Sequence, residues 1–556
     1  MFREKDDQGS LFTALTLLPE EKRRRLEKTW AWAFRTKALP LIDEKVFSHL
    51  YDAGNGRPNF PVQTLIGLLV IKEMFDLTDD ETLFNLEFHL AYQVALALDP
   101  GDAHTCQKTL HNFRKRLIAC DADKLLFQSV TDKMLKALGV DVSKQRLDST
   151  HILSNIARLT RLGLFCETIR VFLTALKKDF SRHFKAVPES LRQRYLKEDG
   201  TPTRFGDAKS DESRRRLSVC ARDVYRLVDL FRGREDVRKL EAYSLLERLL
   251  AEQCEITKTP RGGGDGDADI SEPGVPVEAK ESENISSDSL QSPHDPEATY
   301  SGHKGKGYEV QIAETYGNED VPEIITHVEV TRSCDSDASA ALPTLNALAA
   351  REILPEVMVA DTPYCSTDNV IAAAAKGTEL LGPVPGTASD TMPMDHLGKG
   401  DFLVDTIGVG PSVCIGGQTA TKTLRSDATG ILRVYFDGAA CAKCQFSSIC
   451  AARLLKDGTR ALTTTVRQAT LEQRRAYEKG EEFKERYAAR AGIERTNSEM
   501  KRAHGLGSLR VRREPRVQLA VYLKALACNV KRMVKHVVET LLESETMAEV
   551  TAVGVN

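Results

Sequence analysis

Glu356-Val-Met-Val-Ala-Asp361-Thr-Pro-Tyr-Cys365 is a short apolar run that stops on a carboxylate. A run of this length, bounded by charge and proline, reads as a buried strand. Asp361 then stands where the chain leaves the sheet. It also suits the cap of the following loop, while Asp368 is the better cap for a helix beginning near Thr367. Upstream, Ser336–Ala350 reads as a helix that Pro343 starts or kinks. Before it, Gly307-Tyr-Glu-Val-Gln-Ile-Ala-Glu-Thr315 and Glu323-Ile-Ile-Thr-His-Val-Glu-Val-Thr331 alternate as half-buried strands do, with Gly317-Asn-Glu-Asp320 as the turn. Earlier still, Gln145-Arg-Leu-Asp148-Ser-Thr-His151 is a second short strand ending on an aspartate. For Asp148, helix capping and metal ligation are competing readings.

Strand, two strands, helix, strand, with carboxylates at the ends of the first and last, is the layout of an RNase H-like fold. Neighbouring parallel strands there bring two acids to one edge. The expected fold class is therefore α+β and multidomain. It comprises an N-terminal helical bundle and an RNase H-like mixed α/β core, with a helical insertion and a β-rich, cysteine-containing insertion.

A third acid lies in Tyr487-Ala-Ala-Arg490-Ala-Gly-Ile-Glu494-Arg-Thr-Asn-Ser-Glu-Met-Lys501. At 100° per residue, Tyr487, Arg490, Glu494 and Lys501 fall within a wedge of about 60° on one helix face. Charge alone fits a solvated helix with i,i+4 pairs. The spacing, Y-x2-R-x3-E-x6-K, resembles the Y-R-E-K signature of the DDE transposases of bacterial insertion sequences, and every interval matches.

The resemblance extends to the helical N-terminus, both aspartate motifs and a cysteine-bearing insertion. It implies that Asp148, Asp361 and Glu494 are the catalytic, metal-binding acids. Tyr487, Arg490, Lys501 and Arg502 would contact DNA and its phosphates. Three such carboxylates suit two Mg²⁺ (or Mn²⁺) ions about 3.5–4 Å apart, hard cations that prefer oxygen ligands. The implied activity is cut-and-paste transposition: binding terminal inverted repeats, metal-dependent strand cleavage and strand transfer into target DNA. A homodimer or larger synaptic complex, in a bacterial cytoplasm near the nucleoid, goes with it. An inactive DNA-binding protein of the same fold and a stand-alone nuclease are the alternatives. The long gap between Asp148 and Asp361 leaves Asp141, Asp335 and Asp337 as competing acids.

The 556 residues, 41% hydrophobic, suffice for several cores. Net charge is −3, yet 14 Lys/Arg face 4 Asp/Glu between Lys484 and Lys535, the footprint of a nucleic-acid partner. The charged start, Met1-Phe-Arg-Glu-Lys, has no apolar run behind it and is not read as a signal peptide. Reduced cysteines in apolar settings suit a cytoplasm. Domains are expected at 1–140 (helical, DNA-binding or dimerising), 141–151 with 300–382 (first part of the core) and 152–258 (helical insertion). An acidic flexible linker over 259–299 follows, then a β-rich insertion over 383–470 and the rest of the core over 471–545. Within 1–140, Thr109–Leu117 carries a basic face that suits either helix-turn-helix binding or plain packing.

From Gly263 to Glu297 there are ten acids and one lysine, the basis for the linker. Its Gly262–Asp269 run lacks the glutamate of an EF-hand loop. In the β-rich insertion, Cys441-x2-Cys444-x5-Cys450 with Cys414 offers four thiolates for a structural zinc, against cysteines that merely pack. A helix over Val517–Leu542 and a loose tail over Ala548–Asn556 close the chain.

Overall fold

The structure is a computed structural model that describes the chain outside residues 5–14, 16–17, 53–57, 157–158, 209, 257–275, 387–396, 407–409, 427 and 554–556. At 210–211 and 545–553 only the backbone is described. No helix among the described residues is long and apolar enough to cross a membrane.

The N-terminal region is helical: α1 (Val62–Met74), α2 (Asp79–Phe88), α3 (Gln107–Ala119) and α4 (Ala122–Leu138) follow several short turns. Pro61 caps α1, which is apolar on every side and accordingly buried along nearly its whole length. A capping box between Thr78 and Glu81 starts α2. These helices share one continuous core with the sheet and with the last helix, so Phe127 stacks on Tyr522 at 5.7 Å.

The central sheet has five principal strands: β1 (Lys144–Ile152), β2 (Gly305–Thr315), β3 (Ile325–Arg332), β4 (Val357–Ala360) and β5 (Glu379–Leu381). Their order is β3-β2-β1-β4-β5. β2 is antiparallel to both β1 and β3, whereas β1, β4 and β5 run parallel. β1 does not end at Asp148, as the sequence suggested. Pairing with β2 carries it on to Ile152. Pairing with β4 does stop at Leu147↔Ala360, so Asp148 and Asp361 are the next residues on neighbouring parallel strands.

Side chains alternate across a strand. Leu147, Met358 and Ala360 pack with α5 (Ala341–Ala349) and α6 (Thr367–Ala374). Val359 and Leu381 meet Phe483 instead. On that second face the chain runs through α7 (Glu481–Tyr487), a 3-10 turn (Ala488–Ala491) and α8 (Gly492–Ala503). The expected single helix is thus two, joined by a tighter turn.

Arg146 binds these parts together. Its Nε donates to Glu314 Oε1 (2.8 Å), one Nη to Glu323 Oε2 (2.7 Å) and the other to the Ala489 carbonyl (3.0 Å). Arg532, on α9 (Glu514–Val553), donates to Glu314 Oε2 (3.2 Å), Thr496 Oγ1 (2.6 Å) and Glu499 Oε2 (2.8 Å). Glu314 is fully buried. α9 also covers the free edge of β3, where Asn529 accepts from Ile325 N and donates to Ile325 O, both at 2.8 Å. The helix runs to Val553, through most of the expected tail.

Residues 152–258 contain long helices with their own core, including Phe165, Phe172, Leu227 and Tyr243. Part of the expected linker, 259–275, lies outside the described residues. The remainder differs from expectation: Ser289, Leu290, Asp295 and Ala298 are buried, and Tyr308 donates to Asp295 at 2.7 Å. Acidic composition concealed a segment that packs into the fold around Leu290 and Asp295, while its Glu281, Glu283 and Asp288 stay exposed. The later insertion holds a four-stranded antiparallel sheet of Lys422–Ser426, Ile431–Phe436, Arg460–Thr465 and Arg453–Leu454.

Arg146→Met should lower unfolding free energy by about 3–5 kcal/mol in denaturant titration, because it strips a partner from the buried Glu314. Arg495→Ala removes only an exposed pair with Glu323 and should cost less than about 1 kcal/mol.

Candidate active site

The face of the sheet that carries Arg146 also carries Asp148, two residues on, and α8 lies across it. Gly492 opens α8 against Arg146. A Cβ there would sit 1.9 Å from Arg146 Nη1, so only glycine permits the approach. Glu494 lies in the first turn and Lys501 and Arg502 in the last.

Arg490 organises the acids. Its Nη2 lies 3.5 Å from Asp148 Oδ1 and 3.5 Å from Asp361 Oδ2, and its Nη1 lies 2.5 Å from Glu494 Oε1. Acids separated by more than 340 residues thus meet on one guanidinium, and the two aspartate oxygens are no further apart than twice 3.5 Å. Burial pushes the Asp148 carboxyl up from its ordinary value of 3.8, and Arg490 opposes that rise. Burial and the nearby Asp361 push the Tyr487 hydroxyl up to about 12. It therefore stays protonated and donates to Asp361 Oδ1 at 3.3 Å, while its ring stacks on Phe483 at 5.4 Å. Asp361 also accepts from Thr362 N (2.8 Å), so loop capping and site geometry coexist.

Lys501 and Arg502 are exposed and touch none of the three acids. Of the competing acids, Asp141 caps the turn at Ser143 and Asp335 pairs with Arg332. Asp337 comes near the site: it accepts from Gln311 (3.3 Å) and adds to the upward push on Asp148. His151 is held by Glu309 and the Lys306 carbonyl.

Sequence reasoning passed over Asn497, whose Nδ2 donates to Asp148 Oδ2 at 3.1 Å. Its place three residues after Glu494, on the same helical face, was the available signal. Arg146 was passed over too, because nothing in a local pattern pairs it with Glu314.

The donor set Asp148, Asp361 and Glu494 is all carboxylate oxygen, which fits a hard divalent ion. Arg490 stands between the three as a resident cation. Among the described residues, the one group of potential ligands lying within 4.8 Å of each other is elsewhere, at Glu499, His504 and Cys528. There Arg532 already pairs with Glu499.

In the insertion, Cys414, Cys444 and Cys450 are neighbours of Cys441, although no three of these sulfurs lie within 4.8 Å of one another. Burial and the neighbouring Cys414, Cys450 and Cys444 push the Cys441 thiol up. Cys444 N donates to the Cys441 carbonyl at 3.2 Å, forming a knuckle. A Cβ on Gly416 would lie 3.0 Å from Cys444 Sγ and 3.6 Å from Cys414 Sγ, so the glycine lets the two sulfurs approach.

Residues 413–534 match the family described as transposase DDE domain, and residues 21–116 match a transposase domain (DUF772). The first match takes in the cysteines and the Tyr487–Lys501 stripe, and leaves Asp148 and Asp361 outside it. No curated protein and no solved structure matches the chain. DDE domains generally use divalent metal ions and act on nucleic acid.

The raised Asp148 carboxyl favours the folded state while protonated. That contribution is lost as pH rises from the unfolded value of 3.8 through the raised folded one. Metal-free Asp148→Asn should therefore melt above wild type at pH 7, with the difference vanishing below pH ~4. Thermal melts in EDTA across that range check the sign.

Proposed function

We propose that this chain, which matches a transposase DDE domain over 413–534 and a transposase domain over 21–116, binds the terminal inverted repeats of its element and moves it by cut-and-paste chemistry at Asp148, Asp361 and Glu494. The observation that carries this reading is the convergence of those three acids on Arg490. The strand order β3-β2-β1-β4-β5, with two acids at adjacent ends of parallel pairing, supports an RNase H-like core. The helical region over 1–140 serves end recognition or dimerisation, and a dimer or larger assembly pairs two element ends.

Divalent ions held by the three carboxylates, Mg²⁺ or Mn²⁺, supply Lewis-acid activation of the attacking oxygen and stabilisation of the leaving one. The chain's own groups position the rest. Asn497 fixes one oxygen of Asp148, and the Tyr487 hydroxyl fixes one oxygen of Asp361. Arg490 leaves the carboxylates and turns its fork onto the oxygens of the scissile phosphate. Lys501 and Arg502 face outward to grip flanking phosphates. In cleavage, water attacks phosphorus in line and the released strand ends in a 3′-hydroxyl. In transfer, that hydroxyl attacks a target phosphodiester, a new P–O bond replaces the old one, and the displaced oxygen takes up a proton.

The deciding experiment is cleavage of labelled DNA bearing the element's inverted repeats in Mg²⁺ or Mn²⁺. Asp148→Ala, Asp361→Ala and Glu494→Ala should each lose activity on the order of 10³-fold or more while binding persists. Binding without cleavage by wild type points to an inactive DNA-binding protein, and cleavage without joining to a nuclease.

Cys414, Cys441, Cys444 and Cys450 hold a structural zinc in the same reading. Elemental analysis should then find about one zinc per chain. A Cys441→Ser/Cys444→Ser variant should lose it and melt lower, whereas an unchanged melt with no zinc in wild type would leave the cysteines as packing residues.

A further inference from the structure

The loop after α8 is fastened to the strand that bears Asp148. Leu153 N donates to Gly507 O (3.1 Å), Leu509 N to Leu153 O (2.8 Å) and Asn155 N to Val511 O (2.8 Å). Beyond these bonds two cavities share Arg510, Val511 and Arg516 as a common wall. One, of about 520 Å³, is also lined by Asn155, Arg512, Glu167 and His294. The other, of about 280 Å³, reaches His111, Arg114 and Lys115 of α3 and Lys72 of α1.

The acids in these walls already have partners. Burial would raise the Glu167 carboxyl, but hydrogen bonds from His294 and Arg170 outweigh it and bring it down to about 2. Asp79 accepts from Arg114 at 2.9 Å and lies 3.9 Å from Lys72. Glu73 pairs with Lys524 at 2.6 Å and Lys72 at 2.8 Å. Arg510 sits on Asp76 with half its side chain exposed. Arg512, Arg516 and Lys115 are exposed and, among the described residues, make no ion pair with an acid. The seam therefore carries a surplus of positive charge along a line from α3 to the end of β1.

We infer that this seam is a track for the DNA backbone, joining the N-terminal helices to the catalytic strand. The inference rests on the transposase reading above and adds to it where the DNA runs. Asn155 lies three residues past the end of β1 and seven past Asp148, at most about 23 Å of extended chain. That spans at most about seven base pairs at 3.4 Å each. Phosphates within about seven base pairs of the cut lie on Arg512 and Arg516. Because the loop is bonded to β1, holding DNA there fixes the scissile phosphate relative to Asp148.

The test is anisotropy binding in Ca²⁺, with end duplexes extending about 4 or about 15 base pairs beyond the cut on either side. Wild type should bind one long duplex at least about tenfold more tightly than the short one at 0.1 M salt. Arg512→Gln/Arg516→Gln should lose most of that gain, and its slope of log affinity against log salt should fall by about two, at 0.9 per phosphate contact. Its affinity for the short duplex should match wild type, which also shows that it is folded. Arg512→Lys/Arg516→Lys should keep the slope. A double glutamine variant with the wild-type slope and gain overturns the track while leaving the transposase reading intact. Wild type that binds neither duplex removes both.

Discussion

The molecule depends on one buried electrostatic constraint: Glu314, with no exposed surface, shared between Arg146 and Arg532. A carboxylate taken out of water needs cationic hydrogen-bond partners on both oxygens. Here the partners come from β1 and from the last helix, and both reach onward to the Glu494 segment. Arg146 binds the Ala489 carbonyl and Arg532 binds Thr496 and Glu499. Satisfying Glu314 therefore also clamps the third acid's helix onto the sheet. Gly492 removes the side chain that would otherwise hold the two apart.

Around that clamp the site is built from like charges that need a cation. Asp148 is mostly buried and Asp361 is close by, an arrangement that costs free energy when both are ionised. Arg490 offsets part of this cost by touching all three acids. A guanidinium in that place keeps the carboxylates gathered and has the planar fork suited to phosphate oxygens. The same economy appears at Tyr487, whose ring packs on Phe483 while its hydroxyl holds Asp361.

Much of this was legible in the sequence where local rules govern. The apolar run at Val62–Met74 and the Thr78 cap follow from patterning and stand as read. The two alternating segments are strands, but they are buried on both faces over most of their length instead of half-buried, because helices and neighbouring strands cover them. Asp361 directly after Ala360 was equally plain. Asp148 was placed at a strand end, yet β1 runs four residues further because β2 pairs with it there. The acidic segment near Ser289–Ala298 was read as a linker, because composition cannot show that the Tyr308 hydroxyl and the Arg513 amide will both donate to Asp295 Oδ1.

The sequence by itself supplied the resemblance to DDE transposases and the candidate acids, since Y-x2-R-x3-E-x6-K and an aspartate at the end of an apolar run are local patterns. Tertiary structure decided what those residues do to one another. It broke the stripe into two helices, set Arg490 among three carboxylates and brought Asn497 to Asp148. It also bonded the basic loop to the strand of Asp148. Most of these pairings join residues more than 100 apart in the chain, fixed by burial and hydrogen-bond satisfaction in the folded interior, where no local periodicity can register them.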